Sequence, residues 1–404
     1  MLTFSRALLG ATSVFVFASP ALAADAPASG SAELAAAADF ADIIVTGQRE
    51  EYGVKSTSTA TKTDTDLKNI PQALTVISES QIEDQQLRSI SDLLMFVPGA
   101  TPGTGEANRD QITLRGNNTT ADFFVDGLRD DVQYFRDFYN VDRVEVLKGP
   151  NAMIFGRGGG GGIVNRVTKR ASIGEHYEFT GSVDHWAGVR FSGDVDEPLG
   201  ESIGVRVNGV YENGESFRRF VDLERYGINP TVGIEAGENT RIDLGYEYFH
   251  DILSFGLRHD FGGGLTLRNR TLYGDYDKFY QNVYPTSAVL PAQVTPIPLP
   301  EGPTIGAYNS RNDRRNLISQ TDLIYDAPIG GVEQTLLVGV ELGRQKSRNQ
   351  RLSGTIANLP GNRAPLIDPT VDVDVTYGRV TSDADNRTRA TFAAIYVQDQ
   401  IRPT

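Results

Sequence analysis

From Arg170 onward the chain alternates apolar and polar residues with a period of two, so each strand written this way carries two faces of opposite character. Ile203, Val205, Val207 and Tyr211 share one face, with Arg206, Asn208 and Glu212 on the other. Ile242, Leu244, Tyr246 and Tyr248 oppose Arg241, Asp243 and Glu247. Phe191, Gly193 and Val195 oppose Ser192, Asp194 and Asp196, and Leu336, Val338, Val340 and Leu342 oppose Thr335, Glu341 and Gly343. A soluble sandwich also alternates, but its apolar face turns inward and its strands are shorter. A charged face on every strand fits a sheet that meets lipid outside and water inside. Connections alternate in length as well. Short joins fall at Glu197–Ser202, Glu235–Thr240, Gly262–Gly264 and Ala327–Glu333, long ones near Asn213–Asp222, Tyr284–Asn312 and Lys346–Arg387. The join near Asp251–Leu253 breaks the pattern, being short where a long loop is expected. Tyr211, Tyr226, Tyr248, Tyr273, Tyr325 and Tyr396 lie near strand ends, where interfacial girdles form.

The N-terminus has the parts of an export signal. Arg6 supplies a charged start, Ala7 to Ala18 is apolar, and Ala21-Leu22-Ala23 fits a small-x-small cleavage site, giving a signal peptide over 1–23. No later segment offers ~18 uninterrupted apolar residues for a helical span. With 38 Lys plus Arg against 52 Asp plus Glu the net charge is −14, which argues against nucleic acid as a partner. Cysteine is absent, which removes disulfides and thiolate metal sites. His176, His185, His250 and His259 show no paired metal-ligand spacing, and no metal site is expected. No local pairing of carboxylates marks a catalytic centre, so the chain reads as a non-enzyme.

Between signal and strands lie two further blocks. Residues 24–65 read as a flexible leader containing one sticky strand, Asp42, Ile43, Ile44, Val45 and Thr46, suited to adding onto a partner's sheet edge. Residues 66–170 read as a small α/β unit. Ile70 to Ile77 gives a strand after a proline, and Ser78 to Phe96 a helix pair capped by serines and stopped by Pro98-Gly99. Phe123 to Leu128 gives a strand closing on an Asp-Gly turn. Residues 143–169 run through Val144 and Val146 to Gly149-Pro150, then the block Gly158–Gly162, then Ile163, Val164 and Val167. Five consecutive glycines are entropically expensive to order, so an ordered block implies close backbone approach or unusual dihedrals. It is not a phosphate loop, since the Gly-Lys-Ser/Thr ending is missing and a strand follows.

These motifs, in order, resemble the plug of TonB-dependent outer-membrane receptors: Ile70-Pro71-Gln72, the Val97-Pro98-Gly99 stop, Leu114-Arg115-Gly116, Phe124-Val125-Asp126-Gly127, and Val144 to Pro150 with the glycine block. One departure is the all-glycine run, where many relatives carry a proline. The resemblance implies a membrane β-barrel with an N-terminal α/β plug domain, 171–404 forming a partial barrel of about ten antiparallel strands. It implies a TonB box at 42–46 that binds TonB in the periplasm, export to the cell outer membrane, and outer-membrane lipid around the strands. It also implies a ferric siderophore as transported ligand, with no covalently bound cofactor. Alternatives are a haem, cobalamin or carbohydrate receptor of the same superfamily, or a passive cell-surface structural β protein. Receptors of this type close with ~22 strands, so the sequence reads as the N-terminal half of one. The plug loops 101–110 and 129–140 carry Arg109, Arg129, Tyr134, Phe135, Arg136 and Tyr139. Aromatic faces with guanidinium groups suit an anionic aromatic chelate, and these six are the expected ligand contacts. A salt-bridged loop packed on the wall is the competing reading.

Overall fold

The computed structural model describes residues 52–103, 108–156, 158–215, 221–287, 302–328, 330–365 and 370–402. The signal segment 1–23 and the box 42–46 lie outside the described residues.

The first described element is a hairpin of β1 (Ser56–Thr57) and β2 (Thr65–Asp66). After it come β3 (Ala73–Ser78), α1 (Glu79–Asp84) and α2 (Ile90–Leu94). Ser78 and Ser89 cap the two helices through side-chain oxygens that accept from Gln81 N and Asp92 N. A three-stranded sheet follows, β4 (Ala100–Pro102), β5 (Ile112–Leu114) and β6 (Asn117–Thr119). Then come β7 (Phe123–Val125), β8 (Leu128–Arg129), β9 (Val141–Lys148), α3 (Ala152–Phe155) and β10 (Gly162–Thr168). The central sheet has the order β3-β9-β10-β7-β8, with β7 and β10 parallel and the other pairs antiparallel. Asp126 and Gly127 both have positive φ, the requirement of the tight turn between β7 and β8. Ile90, Leu93, Ile112, Leu114, Val144, Val146 and Val164 form the main core of this plug.

The glycine block is ordered by close approach. A Cβ on Gly161 would stand 2.1 Å from the Leu114 carbonyl oxygen, and one on Gly162 would stand 2.3 Å from that of Leu147. Asp122 Oδ1 accepts from Gly159 N at 2.9 Å. The run therefore threads between β5 and β9 where no side chain fits.

Among the described residues after β10, one antiparallel sheet of eleven strands is formed. They are β11 (His176–Val183), β12 (Val189–Pro198), β13 (Ile203–Glu215), β14 (Asp222–Glu235), β15 (Thr240–Glu247), β16 (Ile252–Gly262), β17 (Leu265–Pro285), β18 (Ile305–Asp326), β19 (Glu333–Ile356), β20 (Val375–Gly378) and β21 (Asp385–Arg402). Ten of these are long, because β20 is a four-residue strand pairing the tip of β19 beyond β21. The polarity is inverted relative to a soluble protein. Asp194, Asp196, Asn208, Asn316, Gln320 and Asp322 are buried on the inner face, while Phe179, Leu244, Val338, Ile395 and Val397 stand exposed on the outer one.

Two expectations are revised. The long joins are shorter than the sequence suggests: β17 runs to Pro285 and β18 resumes at Ile305, and β19 runs on to Ile356. Strands of 21, 22 and 24 residues far exceed the ~10 a tilted membrane strand needs, so they project beyond the bilayer. There both faces meet water and apolar alternation disappears, as in Lys346 to Arg351. Tyr396 is the second. It faces inward, its hydroxyl bonded to Asp322, whereas Tyr211, Tyr226, Tyr248, Tyr273 and Tyr325 are exposed outside.

Candidate functional site

The loop between β8 and β9 holds most of the expected ligand contacts, and it is organised around Arg136. This side chain is 1% exposed. Its Nε donates to Asp130 Oδ2 at 3.1 Å, one terminal nitrogen to the Asp130 and Val132 carbonyls at 2.8 Å each, and the other to Asp110 Oδ2 at 3.4 Å and the Tyr134 carbonyl at 3.2 Å. Its guanidinium also lies 3.9 Å from the Phe123 ring centre and 4.2 Å from that of Tyr134. Every donor is used inside the plug, one of them on Asp110 of the neighbouring loop, so the expectation that Arg136 faces a ligand is corrected: it pins the two loops together. Tyr134 is buried and donates to Asp130 Oδ2 at 2.5 Å, and Arg166 reaches the same oxygen at 3.0 Å. Arg129 is buried, donating to the Ala121 and Phe155 carbonyls, and Tyr139 is buried with its hydroxyl 3.5 Å from Glu247 Oε1. Arg129, Tyr134 and Tyr139 are corrected with Arg136, because burial leaves them no open face. Phe135, 41% exposed, is the open member of the six, and Arg109 is half-buried.

Burial alone would raise Asp130, but Arg136 and Arg166 together, with the Tyr134 hydroxyl, hold it below the usual carboxylate range. At Asp110 burial outweighs Arg136 and the weaker pull of Arg166, and its carboxyl is raised. Burial likewise pushes the Tyr134 hydroxyl up.

Charge also fastens the plug to the inner face of the wall. Arg190 bridges Asp137 at 2.7 Å and Glu212 at 2.8 Å, and Arg225 reaches Glu212 at 2.6 Å. Lys169 reaches Asp194 at 2.8 Å and also pairs with Glu79 of α1. Asp131 pairs with Arg314, and Lys278 Nζ donates to the Asn108 carbonyl at 2.9 Å. Among these ion pairs Val125, Leu128 and Val132 of the plug pack on Ile252, Leu272 and Ile318 of the wall, so the interface is mixed, while the plug's main core lies apart from it.

Above these contacts the projecting strands carry a cluster that sequence reasoning missed. Lys278, Tyr280 and Tyr284 of β17, Tyr308 of β18 and Arg351 of β19 share the inner face. Ring centres are 5.8 Å apart for Tyr280 and Tyr308, and 5.6 Å for Tyr284 and Tyr308. Arg351 stacks 3.8 Å from the Tyr308 centre. The available signal was Tyr276, Tyr280 and Tyr284, which recur every fourth residue and so stay on one face of a strand. Among the described residues no group of three or more His, Cys, Asp or Glu is placed to hold a metal ion.

A small mixed sheet fastened by charge to the inner face of an apolar-outside sheet defines a plugged, membrane-type β-barrel architecture. Residues 66–163 match the TonB-dependent Receptor Plug Domain family. The probable TonB-dependent receptor BfrD of Bordetella pertussis is 32% identical over 220 residues, 53% of this chain and 30% of that protein. The catecholate siderophore receptor Fiu of Escherichia coli K12 is 32% identical over 181 residues, 43% of this chain and 24% of that protein. In structure, the closed form of Fiu superposes with a TM-score of 0.74 at 23% identity, covering 87% of this chain and 57% of that chain. The siderophore receptor PiuA from Acinetobacter baumannii gives 0.72 at 20% identity, covering 87% and 58%. Residues 66–163 thus carry a TonB-dependent receptor plug domain, and the chain spans well under two thirds of these relatives' length.

Proposed function

We propose that this chain is the plug-bearing part of an outer-membrane receptor that takes up ferric siderophores with energy delivered by TonB. The observation that carries the reading is the set of ion pairs that tie the plug to the inner face of the wall, Arg190–Asp137, Lys169–Asp194 and Arg314–Asp131, around a single small apolar contact, an arrangement that can be released and re-formed. Relatives are named as receptors or transporters for catecholate siderophores, ferrioxamine and ferrichrome. The ligand's contact surface is the open side of the loops, Phe135 and Arg109, together with Lys278, Tyr280, Tyr284 and Arg351 of the wall. Cationic and aromatic groups there suit an anionic aromatic chelate. Haem, cobalamin and carbohydrate receptors remain the alternatives within the superfamily, and a panel of ligands separates them by binding.

TonB engages Asp42, Ile43, Ile44, Val45 and Thr46 by strand addition, so Ile44→Pro removes a ladder donor and fixes an unsuitable φ. In the receptor in its host outer membrane this substitution is expected to abolish uptake of a labelled ferric siderophore while surface binding persists. Uptake at the wild-type rate would discard the TonB assignment and favour a passive surface protein. Replacing Tyr280 and Arg351 with alanine is expected to weaken siderophore binding about ten-fold or more, as loss of a stacked cation and ring would. Unchanged affinity would place the ligand elsewhere.

A further inference from the structure

The hairpin of β1 and β2 is the first described segment after residues 42–46, and its contacts divide between plug and wall. On the plug side Thr57 Oγ1 donates to Glu145 Oε1 at 2.7 Å, and Asn165 Nδ2 donates to Thr59 Oγ1 at 2.8 Å. Ala60 packs with Phe124, Leu147, Phe155 and Ile163. On the wall side Gln398 Nε2 donates to the Thr61 carbonyl at 2.6 Å, and Gln400 Nε2 to Thr63 Oγ1 at 2.6 Å. Arg268 donates to the Lys62 carbonyl. The Lys62 ammonium lies 4.4 Å from the Tyr396 ring centre. These wall residues sit toward the short-turn end of β17, β18 and β21, opposite the projecting tips.

Lys62 is an unusual tip for such a hairpin. It is 6% exposed, and its backbone adopts a left-handed φ of 58° that a side chain disfavours. Around it lie Arg268 and Arg270, with Asp322 shared between Arg268 at 2.7 Å and Arg270 at 3.6 Å. The hairpin is thus held by the amide donors of Gln398 and Gln400 and by Arg268, and loaded by a buried cation beside Arg268 and Arg270, which Asp322 offsets in part.

We propose that the 57–65 hairpin is a latch. Gln398 and Gln400 hold it shut against the wall, it must leave the wall for the plug to move, and Lys62 keeps it releasable. The proposal rests on the transport reading above, because a pull arriving from residues 42–46 meets this hairpin before the plug sheet. Its distinct content is that the holding groups are on β21 and that their contacts are broken in each transport cycle.

The test uses the receptor in its host outer membrane and exploits the absence of cysteine from these 404 residues. Thr65→Cys places a thiol in the buried hairpin beside Gln400, where a water-soluble maleimide is expected to react slowly. Adding Gln398→Ala and Gln400→Ala should raise the labelling rate at least ten-fold, with outer-membrane abundance and ligand binding unchanged. Gln400→Glu, similar in size but unable to donate, should act in the same direction if the alanine pair fails to fold. Separately, a short thiol-reactive bridge between Thr63→Cys and Gln400→Cys should block uptake while leaving surface binding intact. Full-rate uptake by the bridged receptor, or labelling that ignores the glutamine substitutions, would overturn the latch. If the unmodified receptor neither binds nor transports a siderophore, the transport reading fails on its own, and the labelling comparison still decides whether the glutamines hold the hairpin.

Discussion

The plug and the wall bury opposite kinds of residue. In the plug most of the fully buried positions are apolar, such as Leu93, Ile112, Leu114, Val144 and Val164, with Asp130, Arg136 and Glu145 among the exceptions. On the wall they include Asn208, Asn316, Gln320 and Asp322, while many leucines and valines, Leu244, Leu323, Val338 and Val397 among them, face outward. The plug folds by removing apolar surface from water. The wall leaves its apolar surface for lipid and spends its buried volume on hydrogen bonds, because every backbone and side-chain polar group must find a partner away from water. Plug and wall meet through ion pairs on both sides of one apolar contact, Val125, Leu128 and Val132 against Ile252, Leu272 and Ile318, and the large polar share is the physical reason the contact can be reversible.

Arg136 is where the plug departs from its own rule, and it gives the largest effect expected. Arg136→Ala leaves Asp130 and Asp110 buried without their shared cation, a loss of about 3–5 kcal/mol. Protease resistance of the plug and receptor abundance should both fall. Arg136→Lys should rescue only partly, since an ammonium cannot reproduce the five-donor fork. A fully stable Arg136→Ala receptor would mean that the loop's fold does not depend on this pin.

Much of this division was legible in the residues. The inverted polarity of the wall was visible in Ile203 to Glu212 and Leu336 to Gly343, because lipid on one side imposes strict alternation. The plug motifs and the ordered glycine run were visible because few residues other than glycine tolerate that approach. Above the membrane the signal vanished, and Lys346 to Arg351 read as a loop although they continue β19. The orientation of Tyr396 was recoverable in principle, since Ile395 and Val397 claim the outer face of the same strand. Arg136 was not recoverable: an arginine caged by Asp110, 26 residues away in sequence, looks the same on paper as one awaiting a ligand.

The wall's side of the comparison predicts a somewhat smaller effect. Val338 is exposed on the outer face, five residues beyond the start of β19. Val338→Lys puts an ammonium in hydrocarbon, costing about 2–4 kcal/mol near the midplane. Outer-membrane insertion should drop while a separately measured plug fold is spared. Val144→Lys should reverse that pattern, disrupting the plug and sparing insertion of the wall. If both substitutions act alike, the two regions do not fold as independently as their opposite cores imply.

Lys62 joins the two regions and gives the smallest effect, readable as a pH dependence. Burial first, and then Arg270 and Arg268, lower its ammonium from 10.5 to about 8, against opposing attraction from Asp322 and Glu341. A lysine lowered by closure penalises the closed latch wherever it is protonated in both states, that is, below pH 8. The penalty fades as pH rises from about 8 toward 10.5, because the open form then holds more protons than the closed one. The whole shift corresponds to about 3 kcal/mol, of which closure gains about 2 kcal/mol between pH 7.5 and 9.5. Hydrogen-exchange protection of the Thr59–Thr63 amides, with intrinsic rates divided out, measures it directly. Protection should rise between pH 7.5 and 9.5 in the natural sequence. Lys62→Met should show high protection at both values and no slope, along with slower uptake, since its latch has lost the charge that favours release. A slope that survives in the methionine variant would assign the effect to another group. Falling protection in the natural sequence would reverse the sign of the argument and make Lys62 a fastening rather than a load.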